Sequence, residues 1–170
     1  MRKIDSHMHI SSDDDLVLKL LDDFDVRTIN ICVPLDNHGE WMNQHEAYRS
    51  ISHRHRGRFA WITSFDLPRF DDAGYCQAVI EQLEKDFADG AVAVKIWKNV
   101  GMVVKKPNGD FLQMDDPLYQ PIWDYLIELK KPLLGHLADP LQCWLPLTEN
   151  GAYCSYYRKH PEWHMYTKPE

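Results

Sequence analysis

What most limits the fold of this sequence is the alternation of short apolar runs with helical patterns over its first 137 residues. Residues 3–9, 27–33, 59–65, 91–97 and 132–137 read as strands, the second rich in Ile and Val and stopped by Pro34. Three of these runs begin at 27, 59 and 91, a constant step that suits one repeating strand–helix unit. The segments between them carry helical spacing. Ser12 reads as the N-cap of a first helix, with Asp15 three residues on, and Leu16, Leu20, Leu21 and Phe24 read as its apolar stripe. Residues 40–55 read as a second helix. Residues 71–88 read as a third, with Val79, Ile80, Leu83 and Phe87 on one side and Gly90 placed to end it. Pro117 behind Asp116 opens another, continued by Ile122, Leu126, Ile127 and Leu129. A β-α-β-α order of this kind predicts an α/β fold with a parallel sheet and right-handed crossovers.

Two insertions interrupt the repeat. Residues 102–113 place Asn108-Gly109 between Val103-Val104 and Phe111-Leu112, a hairpin signal. Residues 138–170 form a long stretch rich in Tyr, Trp and Pro without strong periodicity, expected to be an active-site loop region. Both follow strands, and segments after strands line the ligand-binding end of parallel α/β sheets. With 170 residues, the whole chain is expected to form a single domain.

Composition narrows the function. A net charge of -7 argues against nucleic-acid binding, which needs clustered Lys and Arg. The one dense basic stretch, residues 53–58, reads as the solvated end of a helix, and His45, His53 and His55 read as solvated with it. No apolar run is long enough to span a membrane, and no leader is expected at the start, because Asp5, Ser6 and His7 interrupt it. The four cysteines lack C-x-x-C spacing, so a reduced, cytoplasmic setting is the simpler expectation.

The strongest chemical signal is Ile4-Asp5-Ser6-His7-Met8-His9-Ile10. Side chains alternate along a strand, which would put Asp5, His7 and His9 on one face. Two imidazoles two residues apart at a strand end can grip one divalent cation at roughly 2.0–2.1 Å each. The other reading is a pair of structural histidines, which burial would make costly unless both were hydrogen-bonded.

The Asp5-x-His7-x-His9 motif on the first strand of a strand–helix repeat resembles the opening signature of the amidohydrolase superfamily. The surrounding sequence is similar to the amidohydrolase 2 branch, which includes aminocarboxymuconate-semialdehyde decarboxylases and pyrone-dicarboxylate lactonases. The resemblance covers essentially the whole chain. It implies a TIM-type (β/α)8 barrel, present here as an incomplete barrel of about five parallel strands with helices on the outer face. It also implies a centre of one or two divalent ions at the C-terminal ends of the strands, zinc by default, with manganese or iron also suited to such ligands.

Within that resemblance His136, after the apolar run 132–135, matches a metal-binding histidine at the end of the fifth strand; a plain core histidine is the alternative. Lys95 lies in a strongly apolar strand, where desolvation would lower its pKa and make it nucleophilic. It resembles the carboxylated lysine that bridges two metals in dinuclear relatives. A substrate-binding ammonium or a structural lysine are the other readings, and Lys98, three residues on, is a weaker candidate. His38 follows the second strand and Trp97 ends the fourth, and both are candidate substrate contacts. Trp144 and Trp163 could wall the pocket, or simply pack. His160 and His164 have metal-like spacing, but they read as part of a loop that shapes the pocket.

The family pattern also needs a histidine on a sixth strand and an aspartate on an eighth, and no sixth strand is legible after residue 137. The chain therefore reads as the N-terminal part of a longer barrel. The expected activity of the intact barrel is hydrolysis of an amide, cyclic amide or lactone by a metal-activated water. Lys95 and His136 would be catalytic, and His7, His9, Lys95 and His136 would be the ligand set. One alternative is a metal-dependent decarboxylase of unsaturated or aromatic acids. Another is an inactive fragment that binds metal or a partner. The expected partner is a small-molecule substrate, and open strand edges make a homo-oligomer a further expectation.

Overall fold

In the computed structural model, residues 3–34, 38–136 and 139–166 are described, the side chains of 38–40 excepted. The strands are β1 (Lys3–Met8), β2 (Val26–Ile31), β3 (Phe59–Ile62), β4 (Val94–Ile96) and β5 (Leu133–Gly135). The helices are α1 (Asp15–Asp23), α2 (His38–Arg54), α3 (Tyr75–Ala88), α4 (Asn99–Met102), α5 (Gln120–Glu128) and α6 (Cys154–Lys159). They fall into two compact units, one made of residues up to Trp97 together with Asp115–Gly135, the other of Lys98–Met114 and the residues from His136 on.

The first unit is an α/β structure with parallel strands. Lys3 pairs with Val26, Thr28 with Phe59 and Val94 with Leu133, all in parallel register. A parallel bridge between Thr63 and Val94 joins β3 to β4, and the Thr63 carbonyl accepts from the Lys95 amide at 2.8 Å. Each strand therefore neighbours the next one in the chain, from β1 to β5.

Alternation gives the middle of this sheet two apolar faces. On one, Trp61 and Cys32 pack with Trp41 and Tyr48 of α2, supported by Phe87 of α3. On the other, Ile31, Ile62 and Ala93 pack with Ile29 and Leu134. A strand buried on both faces reads as a near-continuous apolar run, which is why β4 was legible within residues 91–97, whereas β2 alternates Ile29 and Ile31 with Thr28 and Asn30. The outer strands differ. Residues 3–7 of β1 are exposed, Ile4 at 66%, and Leu133 of β5 is exposed as well.

Helix α1 corrects the sequence reading in two ways. Its N-cap is Asp14, not Ser12: the Asp14 carboxylate accepts from the Val17 amide at 3.0 Å, and the Ser12 hydroxyl donates to Asp14. Its buried side is Leu21 with Val17 and Leu18, packed on Ile51 and Phe59, whereas Leu16, Leu20 and Phe24 are exposed. Five apolar residues in nine positions offer two helical stripes, and periodicity alone favoured the other one. Elsewhere the local signals hold. Asp116 accepts from the Leu118 amide ahead of α5, and Gly90 takes the left-handed conformation (φ +100°) after α3.

The second unit gathers both insertions. Asn108-Gly109 turns the hairpin, closed by an antiparallel bridge between Lys105 and Phe111. The later insertion, expected to be a loop, instead forms 3-10 turns at Leu141–Trp144 and Pro161–Trp163 around α6. Its core is Met102, Cys143, Tyr157 and Met165, with Val103, Phe111 and Trp163 against it. Its apolar residues come from segments far apart in sequence, so no single window shows a period. Among the described residues no helix is long and apolar enough to cross a membrane, and all four cysteines are free.

Candidate functional site

In a parallel sheet the C-terminal ends of the strands share one edge, where ligands bind. His7 and His9 sit at that end of β1, Ser64 to Asp66 follow β3, and Lys95 lies in β4. Asp5 pairs with Thr28 and Met8 with Asn30, so β1 covers three steps where β2 covers two. This bulge breaks the strict alternation of Asp5, His7 and His9 expected from the sequence. The Asp5 carboxylate accepts from the His7 amide at 3.0 Å, within the irregular stretch of the ladder. The strand is also an edge strand, so the burial assumed for this motif is not found.

The two imidazoles nonetheless stand together, ring centres 5.4 Å apart and steeply inclined. Rings that share one cation through a nitrogen each must sit side by side at about this spacing. His9 Nδ1 lies 2.9 Å from the Ile31 carbonyl oxygen. A carbonyl only accepts, so Nδ1 carries the proton. In the neutral ring the lone pair is then on Nε2, as in histidines that bind metals. Asn30 holds this turn by bonding both the amide and the carbonyl of Ile10, at 2.9 and 3.0 Å.

Lys95 is only 2% exposed. It pairs in register with Leu134 and follows Ala93 by two residues, so it belongs to the face of Ile31 and Ile62. Its ammonium has no hydrogen-bond or ion-pair partner among the described residues. Burial holds its pKa below the ordinary lysine value. The Ser64 hydroxyl donates to the Lys95 carbonyl at 2.8 Å, fixing the strand rather than the charge.

His136 opens the second unit. There its Nε2 donates to Asp139 at 3.0 Å, and Lys98 bonds the other oxygen of the same carboxylate at 2.9 Å. The Lys98 ammonium also sits over the Trp163 ring, 4.5 Å from its centre. Lys98, ranked below Lys95 from the sequence, is therefore buried and engaged. Asp139 was not singled out at all; its spacing of three from His136 is the one signal that could have found it. His160 pairs with Glu162, and His164 bonds the Leu145 carbonyl. Trp97 follows β4 half-buried, Trp144 is exposed, and the His38 side chain lies outside the described residues. Among the described residues, no three His, Cys, Asp or Glu side chains stand close enough to hold a metal ion together.

The main surprise is His45. Expected to be solvated, it is 6% exposed and edge-on to Trp41 and Trp61. Its Nε2 donates to Asp86 at 2.7 Å, and Asp86 also accepts from Gln82 and Thr63. The face of α2 that carries His45 turned out to be the packed one.

The chain is thus an α/β protein of parallel strands with a histidine pair at the C-terminal end of its first strand. No family model, curated protein or solved structure matches it.

Proposed function

We propose that this chain supplies the opening strands of a barrel-type, metal-dependent hydrolase acting on amides, cyclic amides or lactones. One observation carries the reading: the His9 ring is held by the Ile31 carbonyl with its Nε2 lone pair available, beside His7 at 5.4 Å. The strand order supports it. Parallel strands that neighbour each other in chain order, joined by crossovers of one hand, build a sheet that curves toward a barrel, whereas a doubly wound sheet reverses its order. His7 and His9 fit one divalent cation, and the resemblance adds His136 to the expected ligands. A cation there would polarise a carbonyl group and acidify water. In this chain, Ile31 and Asn30 orient the histidine turn. Lys95 offers a desolvated amine, suited to an anionic substrate group or to carboxylation.

Zinc binding by the purified chain tests the ligand assignment. The expected result is saturable binding that His7→Ala or His9→Ala removes; unchanged zinc content in both variants would sink it. A panel of lactones, cyclic amides and aromatic acids tests the reaction, with carbon dioxide release as the mark of a decarboxylase. Among the described residues no group of three His, Cys, Asp or Glu side chains could hold a metal ion, which favours a second reading, a metal-binding module without turnover. Zinc binding with no turnover on the panel would select it.

A further inference from the structure

A separate cavity lies at the end of the strands away from the histidine pair, where the end of α1 and the start of β2 meet the turn that leads into β3. Its volume is about 340 Å³, at the lower end of small-molecule sites. Three guanidinium side chains line it, Arg27, Arg56 and Arg58, against two carboxylates, Asp22 and Asp25. The acids are already engaged: Asp22 accepts from the Arg58 guanidinium, and Asp25 has a partner too. Arg27 is half-buried and Arg56 is exposed, and neither has a hydrogen-bond or ion-pair partner among the described residues. The charges left uncompensated at this cavity are therefore both positive. Main-chain bonds fix its walls, the Thr28 amide donating to the Arg58 carbonyl and the Asp25 amide to the Asp22 carbonyl, each at 3.0 Å. Gly57 turns the chain between Arg56 and Arg58 at φ +81°, and the space a side chain would take there is open.

We infer that this cavity binds a small phosphate monoester as its dianion. The chain as a whole carries -7, so a positive cavity is a local feature and does not follow from composition. That overall charge repels long polyanions and leaves a small anion as the fitting ligand. A guanidinium fork matches two oxygens of a phosphate, and one dianion balances both Arg27 and Arg56. A monocarboxylate would balance only one of them. The lining residues are all accessible from the cavity side except Leu21, so the ligand meets charged groups and not a closed core. No residue is shared with the histidine pair, so the zinc experiment and this one succeed or fail separately.

Three probes built on one ring test it on the full chain: phenyl phosphate, benzoate and neutral phenol, titrated by calorimetry in a buffer free of phosphate. Phenyl phosphate is expected to bind saturably, about tenfold or more tighter than benzoate, with phenol the weakest. Raising the salt concentration tenfold is expected to weaken that binding. Arg27→Gln and Arg56→Gln are each expected to weaken it about fivefold or more, with circular dichroism checking both folds. Arg56 is exposed, so its variant decides the matter even if Arg27→Gln fails to fold. No saturable phenyl phosphate binding up to about 10 mM, equal or tighter binding of benzoate or phenol, or undiminished binding in Arg56→Gln would each overturn the proposal.

Discussion

The environments of His9 and His45 are the reverse of what their sequence settings suggest. His9 follows a strand expected to be buried yet is exposed, because among the described residues β1 pairs on one side only, with β2. His45 lies on a helix with little apolar periodicity yet is enclosed by two tryptophans and bonded to Asp86. Burial depends on what stands next to an element, and a single chain segment does not encode its neighbours. The edge carries groups suited to bind something. The interior uses the same residue type to hold α2 against α3.

If that contrast is right, the largest effect comes from the interior. Asp86→Ala leaves His45, Thr63 and Gln82 without their shared acceptor and should cost about 3–5 kcal/mol of stability, as for other broken buried pairs. Urea unfolding checks this, and a loss under about 1 kcal/mol would mean that the pair is solvated after all.

Adjacent leucines of α1 come next. Leu21→Ala should cost about 2–5 kcal/mol, because Leu21 packs on Ile51 and Phe59. Leu20→Ala should stay within about 0.5 kcal/mol. Equal losses in thermal melts would show that the exposed stripe is covered in solution.

Lys95 sharpens the comparison from the other face of the sheet. Its charged form is disfavoured in the fold, so at neutral pH the group opposes folding, and that penalty fades as pH rises toward the ordinary lysine value of 10.5. Lys95→Met should therefore stabilise the chain at pH 7 by roughly 1–3 kcal/mol, with the advantage shrinking in alkaline buffer. A destabilised variant would reveal a partner for the ammonium.

The smallest effect belongs to the surface between α1 and α2. Hydrogen bonds from Arg54 and then His55 hold the Asp13 carboxyl at about 2, below its usual 3.8. A lowered carboxylate pKa contributes stability above the unfolded value and loses it as pH falls through the folded one. The Asp13 contribution should thus be present at pH 5 and fade between about pH 4 and 2. Arg54→Ala should move the Asp13 titration, followed by carboxyl NMR, back toward 3.8. An unmoved titration would count against the contact.

The sequence made the local decisions legible. The Asp116 cap, the turn at Gly109, the stop at Gly90 and all five strands follow from short-range chemistry. The bulge between Asp5 and Met8 did not, since it appears only once β1 is laid beside β2. The acceptor for His9, the acid that bonds His136 and the joining of the two insertions into one core all depend on residues distant in the chain. Of the candidate site, the residues were legible and their environments were not.

Every strand in the first unit pairs with its immediate successor, and this has a consequence for how the chain acquires its structure. The partners Lys3 and Val26, Thr28 and Phe59, Thr63 and Val94, and Val94 and Leu133 each close a loop of only a few tens of residues. Loop-closure entropy is thus paid in small, similar instalments. Emerging from the ribosome, each strand finds its neighbour already made, and no pairing waits for a distant segment. The sheet can then grow in the order of synthesis, with its latest strand always the one still seeking a partner.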